Sequence, residues 1–273
     1  FIDLTIHNSG VPVPTVKAAK NEITGLENIT HFVTANEMKV SVPIAGNQSP
    51  AVFRNQAKII YADEEYFKIF DYQWLAGSLQ SALKDPFKVV LTESRAKAYF
   101  SFLAPKDILG REILYDDSIK ATVSGIVKNI AEATDFVFEE FISSATIANT
   151  GLKSRWNWEE WGSINSSSQM FVKLKKGIQT AQMEKQLVGL RNKYRERSKE
   201  GDDKDDTKHY LQALGEIHFN PDYDAFGQRQ AHKPTLYGLL AVASFLLLLG
   251  CINFINLTTA QAAQRAKEIG IRK

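Results

Sequence analysis

Cysteine is almost missing from this chain: Cys251 is its single thiol. One thiol closes no intramolecular disulfide and completes no cysteine-based metal site. No charge of either sign occurs between Lys233 and Arg265, and no proline follows Pro234. Phosphate-cradling GxxxxGK[ST], the GxSxG elbow and the HExxH zinc helix are all absent from the sequence, so the common nucleotide-hydrolysing, serine-hydrolase and zinc-protease chemistries lack their carriers. The net charge is only +2, which argues against the strongly basic face that nucleic-acid binding needs. With 44% hydrophobic and 23% charged residues the chain has the make-up of a folded protein.

What stands in the uncharged stretch is a run of apolar residues. From Leu236 to Leu257 the only appreciably polar side chains are Tyr237, Ser244, Asn253 and Asn256. As a helix rising ~1.5 Å per residue, such a run covers roughly 33 Å, enough for a hydrocarbon core of ~30 Å. Pro234 suits the first turn. Core helices of soluble proteins seldom stay apolar on every face for six turns, so the segment is read as a transmembrane helix.

Its flanks set a direction. Arg265, Lys267, Arg272 and Lys273 follow the span closely, against Glu268 alone, and the positive-inside rule places them in the cytoplasm. Residues 1–233 are then extracytoplasmic, residues 234–258 span the membrane, and residues 259–273 begin a cytoplasmic segment. Asn253 and Asn256, three apart, share a helix face that is expected to pack against another helix. The chain opens at "FIDLTIHNSG", without an initiator methionine or a signal-peptide pattern, and is read as a piece of something longer.

Residues 1–233 mix strands and helices without a strict βαβ alternation, which gives an α+β class and room for two lobes. A helix is expected from Thr15 to Thr24, capped by Thr15 and stopped by Gly25. "THFVTANEMKVSVPIAG" alternates around a turn near Asn36 and predicts a hairpin. "AVFRNQAKIIYAD" predicts one further strand, and "DEEYFKIF" a short helix. "KVVLT" reads as a strand running into the helix "ESRAKAYFSFL", with Thr92 as cap. "REILYDD", "IKATVSGIVKNI" and "SQMFVKLK" read as strands. Met183, Leu187, Leu190 and Tyr194 are spaced for the buried face of a helix. "HYLQALGEIHF" is expected to return as a strand, pairing Glu216 with His218 on one side.

Candidate chemistry is thin. Asp202, Asp203, Asp205 and Asp206 lack the glycine and glutamate of an EF-hand loop, so they are read as a solvated loop. Trp156, Trp158 and Trp161 offer either a ligand platform or anchors for a loop on the core, the second being favoured. With no catalytic constellation, no cofactor and no metal site in view, the chain reads as a non-enzyme.

These pieces resemble a family. "CINFINLTTAQAAQRAKEIGIRK" is similar to the segment of MacB-type and FtsX-like ABC-transporter permeases in which the second transmembrane helix enters the cytoplasm. "YADEEYFKIFDYQWLAGSLQSALKDPFKVVLTESRAKAYF" resembles their MacB-like periplasmic core domain, and "VSGIVKNIAEATDF" and "LQALGEIHF" resemble its later blocks. The version with "INFINLTTA" looks most like large Bacteroidetes permeases carrying two such modules, of which this would be the first. The resemblance implies an inner-membrane permease with four transmembrane helices and a periplasmic domain between the first and second. That domain would have a porter-like α/β lobe and an inserted strand-rich lobe, starting near Ala35 or after Phe100. It implies a separate cytoplasmic ATPase subunit, contacted at or near Arg265, Lys267, Glu268, Ile269 and Arg272. ATP-driven movement would then be transmitted to the periplasm for efflux or export. An adaptor or outer-membrane partner, and a homodimer or two-module pseudo-dimer, are implied as well. The alternatives are a sensor ectodomain of a single-span receptor, an FtsX-like regulator of a cell-wall hydrolase, or an anchored binding protein.

Overall fold

A run such as Val89-Val90-Leu91 has no polar face, so a strand built from it must be covered on both sides. The fold follows from that demand. The computed structural model describes residues 7–44, 46, 49–101, 103–195, 208–223 and 230–271. The acidic stretch of Asp202, Asp203, Asp205 and Asp206 lies outside them. The chain runs α1 (Val13–Glu22), β1 (Leu26–Thr34), β2 (Met38–Val42), β3 (Ala51–Gln56), β4 (Ile59–Ala62), α2 (Tyr66–Ile69), β5 (Trp74–Gly77) and β6 (Lys88–Thr92). It continues through α3 (Glu93–Phe100), α4 (Pro105–Ile108), β7 (Glu112–Tyr115), β8 (Ile119–Val127), β9 (Glu140–Ser143), α5 (Ala145–Ala148) and α6 (Leu152–Arg155). Last come β10 (Ser168–Leu174), α7 (Thr180–Arg195), a 3₁₀ turn (Leu214–Phe219) and α8 (Lys233–Ile271).

All ten strands form one mixed sheet in the order β10-β1-β4-β9-β6-β8-β7-β2-β3, with β5 on β8 beside this path. The α+β class holds. Strand β9 is the join: it pairs parallel with β4 and antiparallel with β6, linking the half-sheet β10-β1-β4 to the half that holds β6, β8, β7, β2, β3 and β5. The strand-rich end, β7-β2-β3, is continuous with the rest. Alternate residues of the central strands enter opposite cores. Val89, Leu91, Ile59, Tyr61 and Ile142 face one side, and Val90, Ile60, Ala62 and Phe141 face the other. The second side is a mass of rings. Phe32 stacks on Phe171 with centroids 5.4 Å apart, and Phe67 meets Trp74 edge-on at 5.1 Å. Trp74 reaches over Gly125 of β8, where a Cβ would lie 2.5 Å from the indole, so only glycine admits that ring.

Strand β9 also carries a buried carboxylate. Glu140, with no exposed surface, accepts hydrogen bonds from the Tyr99 hydroxyl (2.6 Å) and the Tyr115 hydroxyl (2.7 Å). Arg95 Nε lies 3.2 Å from its Oε1, and Arg95 Nη2 lies 3.0 Å from Glu139. Burial raises the Glu140 pKa, while the two tyrosines and Arg95 pull it back down. The tyrosine hydroxyls are in turn held above their ordinary pKa, first by burial and then by the Glu140 charge. A buried charge needs partners of this kind.

Several expectations need correcting. Helix α1 starts two residues early, behind Pro12 and with Pro14 in its first turn, and Ile23 caps its end. Pro fixes the backbone that a first turn requires, so Thr15 sits inside the helix rather than capping it. Strands β1 and β2 are not a hairpin: β1 lies between β10 and β4, and β2 between β3 and β7. Thr30, His31, Phe32 and Val33 are all buried, which a two-strand ribbon open to water on one side could not achieve. "AVFRNQAKIIYAD" is two strands, divided at left-handed Lys58 (φ 67°), with a second left-handed residue, Asn55 (φ 52°), near the end of β3. "LGEIHF" is a 3₁₀ turn with no buried residue, and among the described residues it pairs with no strand. Its Glu216 and His218 pair elsewhere, as described below, and not with each other.

Candidate functional site

Helix α8 is 39 residues long, about 58 Å at ~1.5 Å per residue. Residues 234–267 are exposed throughout, so the apolar run leaves the sheet domain without packing on it. Its window from Lys233 to Lys267 is long and apolar enough to cross a membrane. Two hydroxyls of the helix are satisfied within it. Ser244 donates to the Leu240 carbonyl at 2.8 Å and Thr258 to the Phe254 carbonyl at 2.9 Å, which a lipid environment demands. Asn253 and Asn256 lie on one face of this helix, both exposed. Arg265 and Lys267 lie exposed near its end, Glu268 and Ile269 continue the helical backbone, and Arg272 lies outside the described residues.

Where α8 meets the sheet domain, a small set of side chains forms a collar. Lys233 at the start of α8 donates to Glu216 Oε2 at 2.7 Å, and its ammonium lies 4.9 Å from the centre of the Phe219 ring. His218 Nδ1 lies 3.1 Å from both carboxylate oxygens of Asp135, in the loop between β8 and β9. The Ala231 amide donates to the His218 carbonyl at 2.9 Å. The Leu211 amide donates to Glu184 of α7, also at 2.9 Å. The 3₁₀ turn is thus tied backward to the sheet and α7, and forward to the membrane helix. Nothing local in the sequence announces this: Asp135 and His218 are 83 positions apart. The only hint is that Lys233 is the last charge before the apolar run.

A second feature sits at another edge. Trp156 and Trp158 line a cavity at the end of β1, Trp158 buried and Trp156 packed against the core. Trp161 stacks on Tyr194 of α7 with centroids 4.3 Å apart. The core-anchor reading of this cluster holds for all three, while Trp156 and Trp158 also line the cavity. Among the described residues no group of three or more His, Cys, Asp or Glu is placed to hold a metal ion.

Comparison with known proteins bears on about two thirds of the chain. The family model described as the MacB-like periplasmic core domain matches residues 5–190. A solved domain of a protein described as a permease, from Porphyromonas gingivalis, is 18% identical with a TM-score of 0.53, covering 68% of this chain and 71% of that one. The fold is shared with that domain. The periplasmic region of MacB from Actinobacillus actinomycetemcomitans gives 18% identity and a TM-score of 0.48, over 69% of this chain and 76% of that one. The extracellular domain of the noncanonical ABC-type transporter YknZ from Gram-positive bacteria gives 11% and 0.45, over 70% and 87%. A search of curated proteins found no match.

Proposed function

Since the chain belongs to the family of MacB-like periplasmic core domains, we propose that it is the output arm of an ABC-type permease, carrying ATP-driven movement across the membrane to a periplasmic domain. That family is a permease component of ABC transporters, and on this reading ATP hydrolysis falls to a separate ATPase subunit. On this reading residues 1–233 are periplasmic, residues 234–258 span the inner membrane, and residues 259–273 open the cytoplasmic coupling segment. Arg265, Lys267, Arg272 and Lys273 beyond the span support that orientation.

The observation that carries the reading is the unbroken helix α8, joined to the sheet domain by the Lys233–Glu216 and His218–Asp135 contacts. A stiff rod transmits displacement, and a flexible Gly/Ser tether does not. Arg265, Lys267, Glu268, Ile269 and Arg272 are placed at or near the ATPase contact. The Asn253/Asn256 face packs on a further transmembrane helix of the permease, since amides in lipid seek protein partners. Whether the output is efflux through an adaptor and outer-membrane partner, export, or control of a cell-wall hydrolase, the same transmission serves it. So does either a homodimer or a two-module pseudo-dimer.

The test is co-purification of the full-length permease with its ATPase, comparing the native sequence with Arg265→Glu/Arg272→Glu. Association that the double reversal abolishes supports coupling through this tail. Failure of the native protein to associate sinks the reading in favour of a sensor or an anchored binder.

A further inference from the structure

Where β1 ends and β10 begins, the fold leaves a cavity of about 410 Å³, within the ~300–1,000 Å³ range of small-molecule sites. Its aromatic wall is set from behind. Trp156 stands edge-on to buried Tyr61 with centroids 5.3 Å apart, and Trp158 edge-on to buried His31 at 5.5 Å. His31 Nε2 lies 2.9 Å from Ser168 Oγ, which itself donates to the Val11 carbonyl at 2.7 Å. The Ser168 proton is therefore committed, and the imidazole Nε2–H is the donor. Burial lowers the His31 pKa to about 4, so the ring stays neutral and in place at physiological pH. The approach to this region is equally fixed: a Cβ on Gly10 would lie 2.0 Å from the Asn165 carbonyl oxygen. The indoles therefore need no rearrangement to receive a ligand.

Four polar groups of the wall are in the opposite condition. Among the described residues, the Arg155 guanidinium and the Asn36 and Asn157 amides are exposed and have no partner within the chain, and the Trp158 indole N–H has none either. Neighbouring Lys153 is taken by Glu159 at 2.9 Å, which leaves Arg155 as an uncompensated positive charge on this wall. The free groups thus comprise a planar cation suited to a carboxylate, two amides that both donate and accept, and a flat apolar face beside them. A neutral apolar ligand would make no use of the guanidinium or the amides. An aryl carboxylate would satisfy Arg155 and the ring face, but not the amides. Hydroxyls on a saturated ring match amides in both directions, and the ring's C–H face suits an indole. We propose that this cavity binds a carboxylate-bearing sugar, with its ring on Trp156, its carboxylate on Arg155 and its hydroxyls on Asn36 and Asn157. The site is separate from the collar and from α8, and it stands whether or not the coupling reading does.

The experiment is isothermal titration calorimetry of the full chain in detergent with D-glucuronate, D-glucose and benzoate across the millimolar range. Glucuronate is expected to bind at least ~tenfold more tightly than glucose or benzoate, the size of one charge-assisted pair. Arg155→Gln should bring glucuronate down to the level of glucose, and Asn36→Ala should weaken both sugars while leaving benzoate unchanged. Arg155 is exposed and holds no other element, so an unchanged melting curve should confirm that its variant is folded. Benzoate binding as tightly as glucuronate, glucose matching glucuronate, indifference to Arg155→Gln, or no heat from any of the three would each overturn the proposal.

Discussion

Tyr115 donates its hydroxyl to Glu140 at 2.7 Å in a site where neither residue has any solvent-exposed surface. Tyr115 ends β7 and Glu140 opens β9, two strands that are not neighbours in the sheet. The bond crosses the core beneath β6 and β8, so it ties the strand-rich end of the sheet to its central join. Removing that hydroxyl leaves the carboxylate one donor short where water cannot replace it. Tyr115→Phe is therefore expected to destabilise the chain by about 1–3 kcal/mol, read as a lower urea midpoint with unchanged slope.

A second carboxyl sets a pH dependence. Asp63 accepts from the Thr30 hydroxyl at 2.6 Å and from the His31 and Glu65 amides. Burial nonetheless raises its pKa from 3.8 to about 6, those donors and Lys20 opposing the rise. Between these two values the folded state holds a proton that the unfolded state has lost. Stability should therefore fall as pH is raised from about 4 to about 6. The size is on the order of 2 kcal/mol, allowing for the water that still reaches this half-buried group. Asp63→Asn should flatten that part of the stability–pH curve, and an unchanged slope in the variant would place the titration elsewhere.

Two glycines with the same backbone angle should respond differently to a methyl group. Gly77 (φ 81°) closes β5 with its missing Cβ 2.4 Å from the Ser124 carbonyl oxygen, whereas Gly110 (φ 82°) faces open space. Gly110→Ala should cost only the left-handed strain of about 1–2 kcal/mol. Gly77→Ala should cost clearly more, because a backbone atom must move. Paired thermal melts would show this as a larger drop for Gly77→Ala.

The collar makes a prediction about motion rather than stability. Lys233 and Glu216 keep 42% and 57% of their side-chain surface exposed, so their ion pair contributes at most about 1 kcal/mol. Lys233→Ala should leave the melting of the sheet domain nearly unchanged. It should instead accelerate hydrogen exchange at the 214–219 amides, where the turn loses its forward tie. Equal exchange in the two proteins would mean the collar holds without this lysine.

Leu247 lies near the middle of the uncharged run and is exposed. Leu247→Arg should raise the cost of membrane insertion by about 2.5–3.5 kcal/mol. Alkaline extraction of membranes should then release a larger share of the variant than of the native chain.

The sequence was readable where one segment settles its own structure. The Lys88–Thr92 strand and the Glu93–Phe100 helix announce themselves by an apolar run followed by Thr92 and an acidic first turn. Helix α7 shows in the spacing of Met183, Leu187 and Leu190, all buried, and α8 shows in its lack of charge. Neighbour choice was not readable. Periodicity records which faces of a strand are covered, and not by what, so β1 looked like half of a hairpin although its partners are β10 and β4. The same limit hid the collar, whose contacts join residues far apart in the chain, and the pairing of Trp158 with His31. Arg155 gave no signal either: its meaning comes from the absence of a partner, which only the folded neighbourhood reveals.

The position of β9 bears on the order in which the chain is made. Four residues, Glu140–Ser143, stand between β4 and β6, yet β6 has been synthesised roughly fifty residues earlier and β4 roughly eighty. Until Ser143 emerges, the growing chain holds two separate half-sheets with raw edges facing one another. Strand β1 waits longer still for β10. Long-range pairings of this kind are slow to form and leave strands exposed meanwhile. A nascent chain halted anywhere before β9 lacks the one strand that joins β4 to β6, so its two groups of strands have nothing to hold them in one sheet.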